Sequence, residues 1–186
     1  GVLVVSAQAP VPGLETPVPD RFGLPYKGKS YPQTTPKLAL ASVIEALSLG
    51  RSDYVVAHLM EPAFVDARIA DRARFLEPTV EADLIRLRDS QRLSPVVIPE
   101  KQRVPDDPLA FKLMMAHQAG SRAVQQVMAD VHARIADDPE TLKDLRRFLR
   151  EGVFADADTT SKVTLTDVKD KAVFFKKVGD RWYMEN

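Results

Sequence analysis

The chain contains no cysteine, which excludes disulfides, thiol catalysis and thiolate metal sites within its 186 residues. It has no net charge either: 26 Lys and Arg stand against 26 Asp and Glu. A nucleic-acid-binding chain would carry a basic surplus, and so would a polybasic membrane binder, so both classes are disfavoured. No run of about 18 apolar residues is present, so no transmembrane helix is expected. The eight glycines are scattered and build no phosphate loop, and there is no G-x-S-x-G nucleophile elbow. What remains is 45% hydrophobic and 28% charged, the composition of a soluble globular chain of about one domain.

The N-terminus opens on Val2 to Val5 and reaches Ala7-Gln8-Ala9, an apolar run followed by an A-x-A site. That pattern matches the end of a secretory leader, so residues 1–9 read as a signal-peptide remnant and the protein as exported, periplasmic or extracellular. An ordinary N-terminal strand or loose tail is the alternative. Seven of the 14 prolines fall between Pro10 and Pro36. Proline fixes φ and removes a donor, so residues 10–34 are expected to form an extended arm without regular structure. Phe22, Tyr26 and Tyr31 suggest that part of the arm lies on the domain or on a partner. A flexible stalk, dispensable for folding of residues 35–186, is the competing expectation.

Thr35-Pro36 predicts a helix start, with an apolar stripe at Leu40, Val43, Ile44 and Leu47 and a closing Gly50. A second helix is expected from Ser52 or Asp53, stopped by Pro62. Residues 64–76 read as helix, or alternatively as a strand over 64–69. Thr79 is expected to cap another helix, and Val96-Val97-Ile98 is a candidate short strand. Asp107-Pro108 predicts a further helix with a possible kink at Gly120-Ser121. Val124, Val127, Met128, Val131 and Ile135 continue its inward stripe. Asp138-Pro139 starts the last helix, with Leu142, Leu145, Phe148 and Leu149 inward and Gly152 after its end. Beyond Phe154 the period changes to two. Strands are expected over 159–166, 171–178 and 181–185. A Gly179-Asp180 hairpin sets Lys177 opposite Trp182 and Phe175 opposite Met184. Trp182 should then share the core face with Phe175 and Met184, and Val163 and Leu165 join it if the preceding turn is odd.

The opening Thr35-Pro36-Lys37-Leu38-Ala39-Leu40 with Ile44-Glu45-Ala46-Leu47-Ser48-Leu49-Gly50 resembles the first helix of the cystatin-like, nuclear-transport-factor-2-like (NTF2-like) superfamily. The ending Val173-Phe174-Phe175-Lys176-Lys177-Val178-Gly179-Asp180-Arg181-Trp182-Tyr183 is similar to that group's terminal strands. The likeness covers residues 35–60 and 159–186 and is nearest to a small exported bacterial branch of unknown function. It implies an α+β fold, helices packed on a C-terminal antiparallel meander, with a cone-shaped pocket between them. The middle of the chain departs from the pattern, because residues 62–152 read as mainly helical, and no catalytic pair of the family transfers to a residue here.

The three histidines, His58, His117 and His132, make no H-E-x-x-H or H-x-H pair, so a metal site would need carboxylates such as Glu61 or Asp66 from other elements. No metal and no cofactor is expected. Between 61 and 104 eight basic residues interleave with eight acidic ones, which reads as solvated helix faces laced by i,i+4 pairs. Arg146, Arg147 and Arg150 form a small basic patch. Tyr54 and His58 lie one turn apart on the second helix and, with Trp182, are the candidate lining of a binding pocket. Core aromatics with one polar edge are the plainer reading. The expected function is a non-catalytic exported domain that binds a small apolar ligand, a peptide or a protein. The alternative is an enzyme doing acid–base chemistry on a small hydrophobic substrate in a cone pocket.

Overall fold

The computed structural model describes residues 18–94 and 96–185, apart from the side chains of Ala136, Asp137 and Lys169. The leader reading of residues 1–9 and the arm up to residue 17 lie outside the described residues. The fold is α+β, with five helices followed by a four-stranded antiparallel sheet in the order β1-β2-β3-β4.

Helix α1 (Pro36–Ser48) starts as the sequence predicts, with Thr35 accepting the Leu38 N–H and proline at the first position. Gly50 follows it at φ +68°, the left-handed conformation that a glycine adopts without a Cβ clash. The second helix is shorter than expected. Helix α2 (Ser52–Tyr54) widens at once into a π-helical turn over Val55–Leu59, closed by the Met60 N–H on the Val55 carbonyl at 2.9 Å.

The segment ends at Leu59, before Pro62 as expected, and Pro62 begins α3 (Pro62–Leu93). Glu61 is its N-cap and accepts the Phe64 N–H at 2.5 Å. The same helix runs through Pro78, so Thr79 is interior and caps nothing. A proline inside a helix costs about 3 kcal/mol or more. Packing along most of the length of α4 (Pro108–Asp137) offsets it, while Pro78 itself faces solvent. The two helices form an antiparallel hairpin about 45 Å long at 1.5 Å per residue. Val80, Leu84, Val104 and Ala119 fill its distal half, and α4 is continuous across Gly120-Ser121. Val96-Val97-Ile98 is loop rather than strand; Val96 and Val97 stand exposed between the helices, and among the described residues no strand pairs with them.

Helix α5 (Pro139–Glu151) leads into β1 (Val153–Asp156), a strand the period-two pattern missed because it is only four residues long. Gly152 between them has φ −68°, so a left-handed cap is not its purpose. A Cβ there would meet the Phe148 carbonyl oxygen at 2.3 Å and a Val163 methyl at 2.6 Å, so glycine allows the helix end to sit against the sheet. Strands β2 (Thr160–Leu165), β3 (Val168–Val178) and β4 (Arg181–Glu185) complete the meander. The predicted register holds, with Lys177 opposite Trp182 and Phe175 opposite Met184. Seven residues, 165–171, lie between the paired Thr164 and Ala172. That odd interval puts Val163 and Leu165 on the same face as Phe175.

Two apolar clusters meet under the helices. One joins Leu40 and Ile44 of α1, Phe148 of α5 and the sheet face carrying Val163, Phe175 and Trp182. The other joins Val43, Tyr54, Val55, Leu59, Val65 and Val127. Met184, Leu142 and Leu145 pack against both.

The arm from residue 18 to 34 is not a free stalk. It has no helix or strand, but it turns at Phe22 (φ +53°) and Gly23 (φ +78°), and Arg21 and Leu24 exchange backbone bonds of 3.1 and 2.9 Å. Left-handed backbone costs a phenylalanine roughly 1 kcal/mol, and here the Phe22 ring recovers it by packing on the second cluster. Tyr31 and Gln33 are buried outright.

Candidate functional site

The structure brings Tyr54 and His58 together and keeps Trp182 apart from them. The Tyr54 and His58 rings are 4.9 Å apart by centroid, with Tyr31 tilted against Tyr54 at 4.5 Å and Tyr26 at 5.7 Å from His58. Trp182 belongs to the cluster between sheet, α1 and α5. All three are core residues, 1%, 2% and 6% exposed in that order.

Their polar atoms are committed to the arm. The Lys27 N–H donates to the Tyr54 hydroxyl at 2.8 Å. His58 Nε2 lies 2.8 Å from the Leu24 carbonyl. A carbonyl only accepts, so Nε2 carries the proton. Gln33 closes the arrangement. Its side-chain NH2 donates to the His58 and Trp182 carbonyls at 3.0 and 2.9 Å, and its main-chain carbonyl accepts the Trp182 N–H at 2.8 Å. Tyr26 continues the contact over the opposite face of β4, where the Arg181 guanidinium lies between the Tyr26 and Tyr183 rings at 4.9 and 5.5 Å. Together these groups clamp the arm.

Burial pushes the His58 pKa below its ordinary value. The hydrogen bond to Leu24 acts against that shift, and the Arg21 and Arg181 cations act with it. The imidazole is therefore neutral at pH 7. Burial also raises the Tyr54 and Tyr183 phenols, so both stay protonated. A lowered histidine pKa means that the unfolded chain binds the proton first as pH falls. Stability should therefore decrease as pH falls from 7.5 to 5.5, through the unfolded value near 6.5. Urea unfolding across that range is expected to show the loss in the parent and a flatter profile in His58→Gln. A flat parent profile would contradict the assignment.

The carboxylates considered for a metal are already engaged with cations. Glu61 is bound by Lys176 at 3.2 Å and Asp66 by Arg21 at 2.6 Å. Burial raises the Glu61 pKa, but the Phe64 N–H and Lys176 outweigh it and hold the carboxyl below the usual range. His132 Nδ1 is 3.4 Å from the Ser52 hydroxyl. Among the described residues no three His, Asp or Glu side chains are grouped to hold a metal ion.

Two of the three arginines in the basic patch on α5 are ion-paired. Arg147 binds Glu151 at 2.9 Å and also Asp167; Arg150 binds Glu151 at 2.7 Å; Arg146 donates to the Ser48 hydroxyl. On α3 the acid–base pairs are i,i+3 rather than i,i+4, as in Asp71–Arg74 and Asp83–Arg86. Others cross to α4, as in Arg72–Asp130 at 3.0 Å and Asp83–Arg122 at 2.8 Å.

A cleft lies elsewhere. It measures about 700 Å³ and opens between the base of the α3–α4 hairpin, α5 and the β3–β4 end of the sheet. Its floor is apolar, with Leu47, Val55, Met60, Val127 and Met184, and Phe64, Val131 and Leu145 form its walls. Charge enters at the rim through Arg68, Arg72, Asp130, Arg134 and Glu185. Tyr54, His58 and Trp182 do not line it. Sequence reading marked Val127, Val131 and Leu145 as inward positions but not as cleft walls. The available signal was the α4 stripe, which runs apolar as far as Ile135.

Comparisons with protein-family models, with curated proteins and with solved structures find no match to this chain.

Proposed function

We propose that this chain is a non-catalytic binding domain of NTF2-like kind, and that the cleft at the hairpin base takes an elongated apolar small molecule. The observation that carries the reading is the cleft, apolar on its floor and walls and charged only at its rim. Its volume falls in the range of small-molecule sites, about 300–1,000 Å³. Kinship with the NTF2-like group is supported by α1 with its short successor, by the antiparallel meander and by the Gly179-Asp180 hairpin before Trp182. The long α3–α4 hairpin is the departure, and it supplies half of the cleft. The acid–base alternative draws no support from His58, whose Nε2 proton is held by the Leu24 carbonyl and which has no carboxylate partner among the described residues.

The uncharged fluorophore N-phenyl-1-naphthylamine should bind saturably, with enhanced emission. Val131→Trp, which puts a large ring into the cleft, should weaken binding by about tenfold or more, as expected when apolar area worth over 1.4 kcal/mol is removed from contact. Tyr54→Phe should leave binding unchanged. Absence of saturable binding, or loss in Tyr54→Phe but not in Val131→Trp, would overturn the assignment.

A further inference from the structure

The hairpin helices are joined by rungs of opposite charge, and the rung at the cleft breaks the rule. Asp83 faces Arg122, and Arg72 faces Asp130, at 2.8 and 3.0 Å. Arg68 lies four residues before Arg72 on α3, and Arg134 lies four residues after Asp130 on α4. In an antiparallel pair, one turn toward the base therefore brings Arg68 and Arg134 to the next rung. Both line the cleft, and neither is ion-paired to a carboxylate among the described residues. Two cations occupy a position where each previous rung has a cation and an anion.

We infer that Arg68 and Arg134 seat the carboxylate of a single-chain amphiphile, a fatty acid, whose alkyl chain occupies the apolar floor. The inference rests on the cleft reading and adds the head group to it. A carboxylate between two guanidinium groups accepts charge-assisted, in part bidentate, hydrogen bonds and relieves the repulsion between the two cations. The Phe64 ring lies 5.7 Å under the Arg68 guanidinium and helps to hold it over the mouth. Of the other rim charges, Arg72 and Asp130 satisfy each other, and Glu185 stands at the sheet side. The anion is thus directed to the helix side, and the tail runs inward past Val131 and Val127 toward Met60 and Met184.

Calorimetric titration of the full chain with dodecanoate and with 1-dodecanol separates head from tail. Dodecanoate should bind at least about tenfold tighter, as expected of hydrogen bonds to a charged group. Arg68→Gln and Arg134→Gln should each remove most of that advantage while leaving dodecanol affinity unchanged. Arg68→Glu, which restores a rung of opposite charge with Arg134, should abolish the preference for dodecanoate over dodecanol. Arg74→Gln, on an arginine paired only with Asp71, should change nothing. Equal affinity for dodecanoate and dodecanol, or an advantage that survives both glutamine variants, would overturn the head-group assignment and leave the cleft reading standing. Failure of both ligands to bind would overturn both.

Discussion

Replacing Trp182 by alanine is expected to cost about 3–5 kcal/mol of stability, the range for truncating a buried large aromatic. The indole is 6% exposed and packs with Phe175, Ile44 and Phe148, three residues from three different elements. A side chain shared by sheet, α1 and α5 cannot be removed without a cavity at their junction, because none of the three elements can collapse alone. Lys177 lies 6.0 Å from the indole centroid across the strand pair and covers its outer edge. Trp182 is the only tryptophan, so the parent should show blue-shifted, poorly quenched emission. Chemical denaturation of parent and variant provides the check. A loss below about 1 kcal/mol, with red-shifted parent emission, would place Trp182 against a solvent-filled space instead of the core.

Deleting residues 1–34 is the second large effect. The proline content suggests a dispensable arm, but the contacts argue for an expected loss of about 3 kcal/mol or more. Tyr31 alone buries an aromatic ring, worth about 2 kcal/mol. The deletion also removes both bonds from the Gln33 side chain and leaves the Tyr54 hydroxyl, His58 Nε2 and the Trp182 N–H without their partners. Orphaned polar groups near a core cost about 1–3 kcal/mol each unless water reaches them. A deletion at residue 18, which keeps the clamp, should leave the thermal midpoint within a few degrees of the parent. If the deletion at residue 35 is equally silent, the clamp contributes nothing to stability.

The sequence was most legible where one local rule decided the outcome. The Thr35-Pro36, Asp107-Pro108 and Asp138-Pro139 starts fall at helix boundaries, and two of them have the predicted cap hydrogen bond. The Gly179-Asp180 turn fixed a hairpin register that placed Trp182 on its face. The break before Pro62 was legible, but the cap that begins α3 was not: Glu61 caps α3 and is anchored by the Met184 carbonyl on β4. That contact spans more than 120 residues and leaves no trace in the local pattern. Pro78 inside α3 shows the same limit, since tertiary packing on α4 overrode its propensity.

The candidate site illustrates a different limit. Tyr54 and His58 were singled out because an aromatic and an imidazole one turn apart can line a pocket. They do form a cluster, but the arm fills the space in front of them. The Phe22, Tyr26 and Tyr31 signal already allowed for that filling, and only the three-dimensional contacts of Gln33 and the Leu24 carbonyl decide it. The cleft lining comes from α1, the π-helical turn, α3, α4, α5, β3 and β4, seven segments that no motif links.

The central claim is that binding belongs to the hairpin cleft and not to Tyr54, His58 and Trp182. NMR of the full chain, labelled at methyl groups and at aromatic rings, during titration with 1-dodecanol tests it most directly, because the two regions carry separate aliphatic and aromatic reporters. The account predicts saturable shifts at Val127, Val131, Leu145 and Met184, with the Tyr54, His58 and Trp182 ring signals nearly unmoved. Shifts centred on those three rings, with the cleft methyls silent, would contradict it.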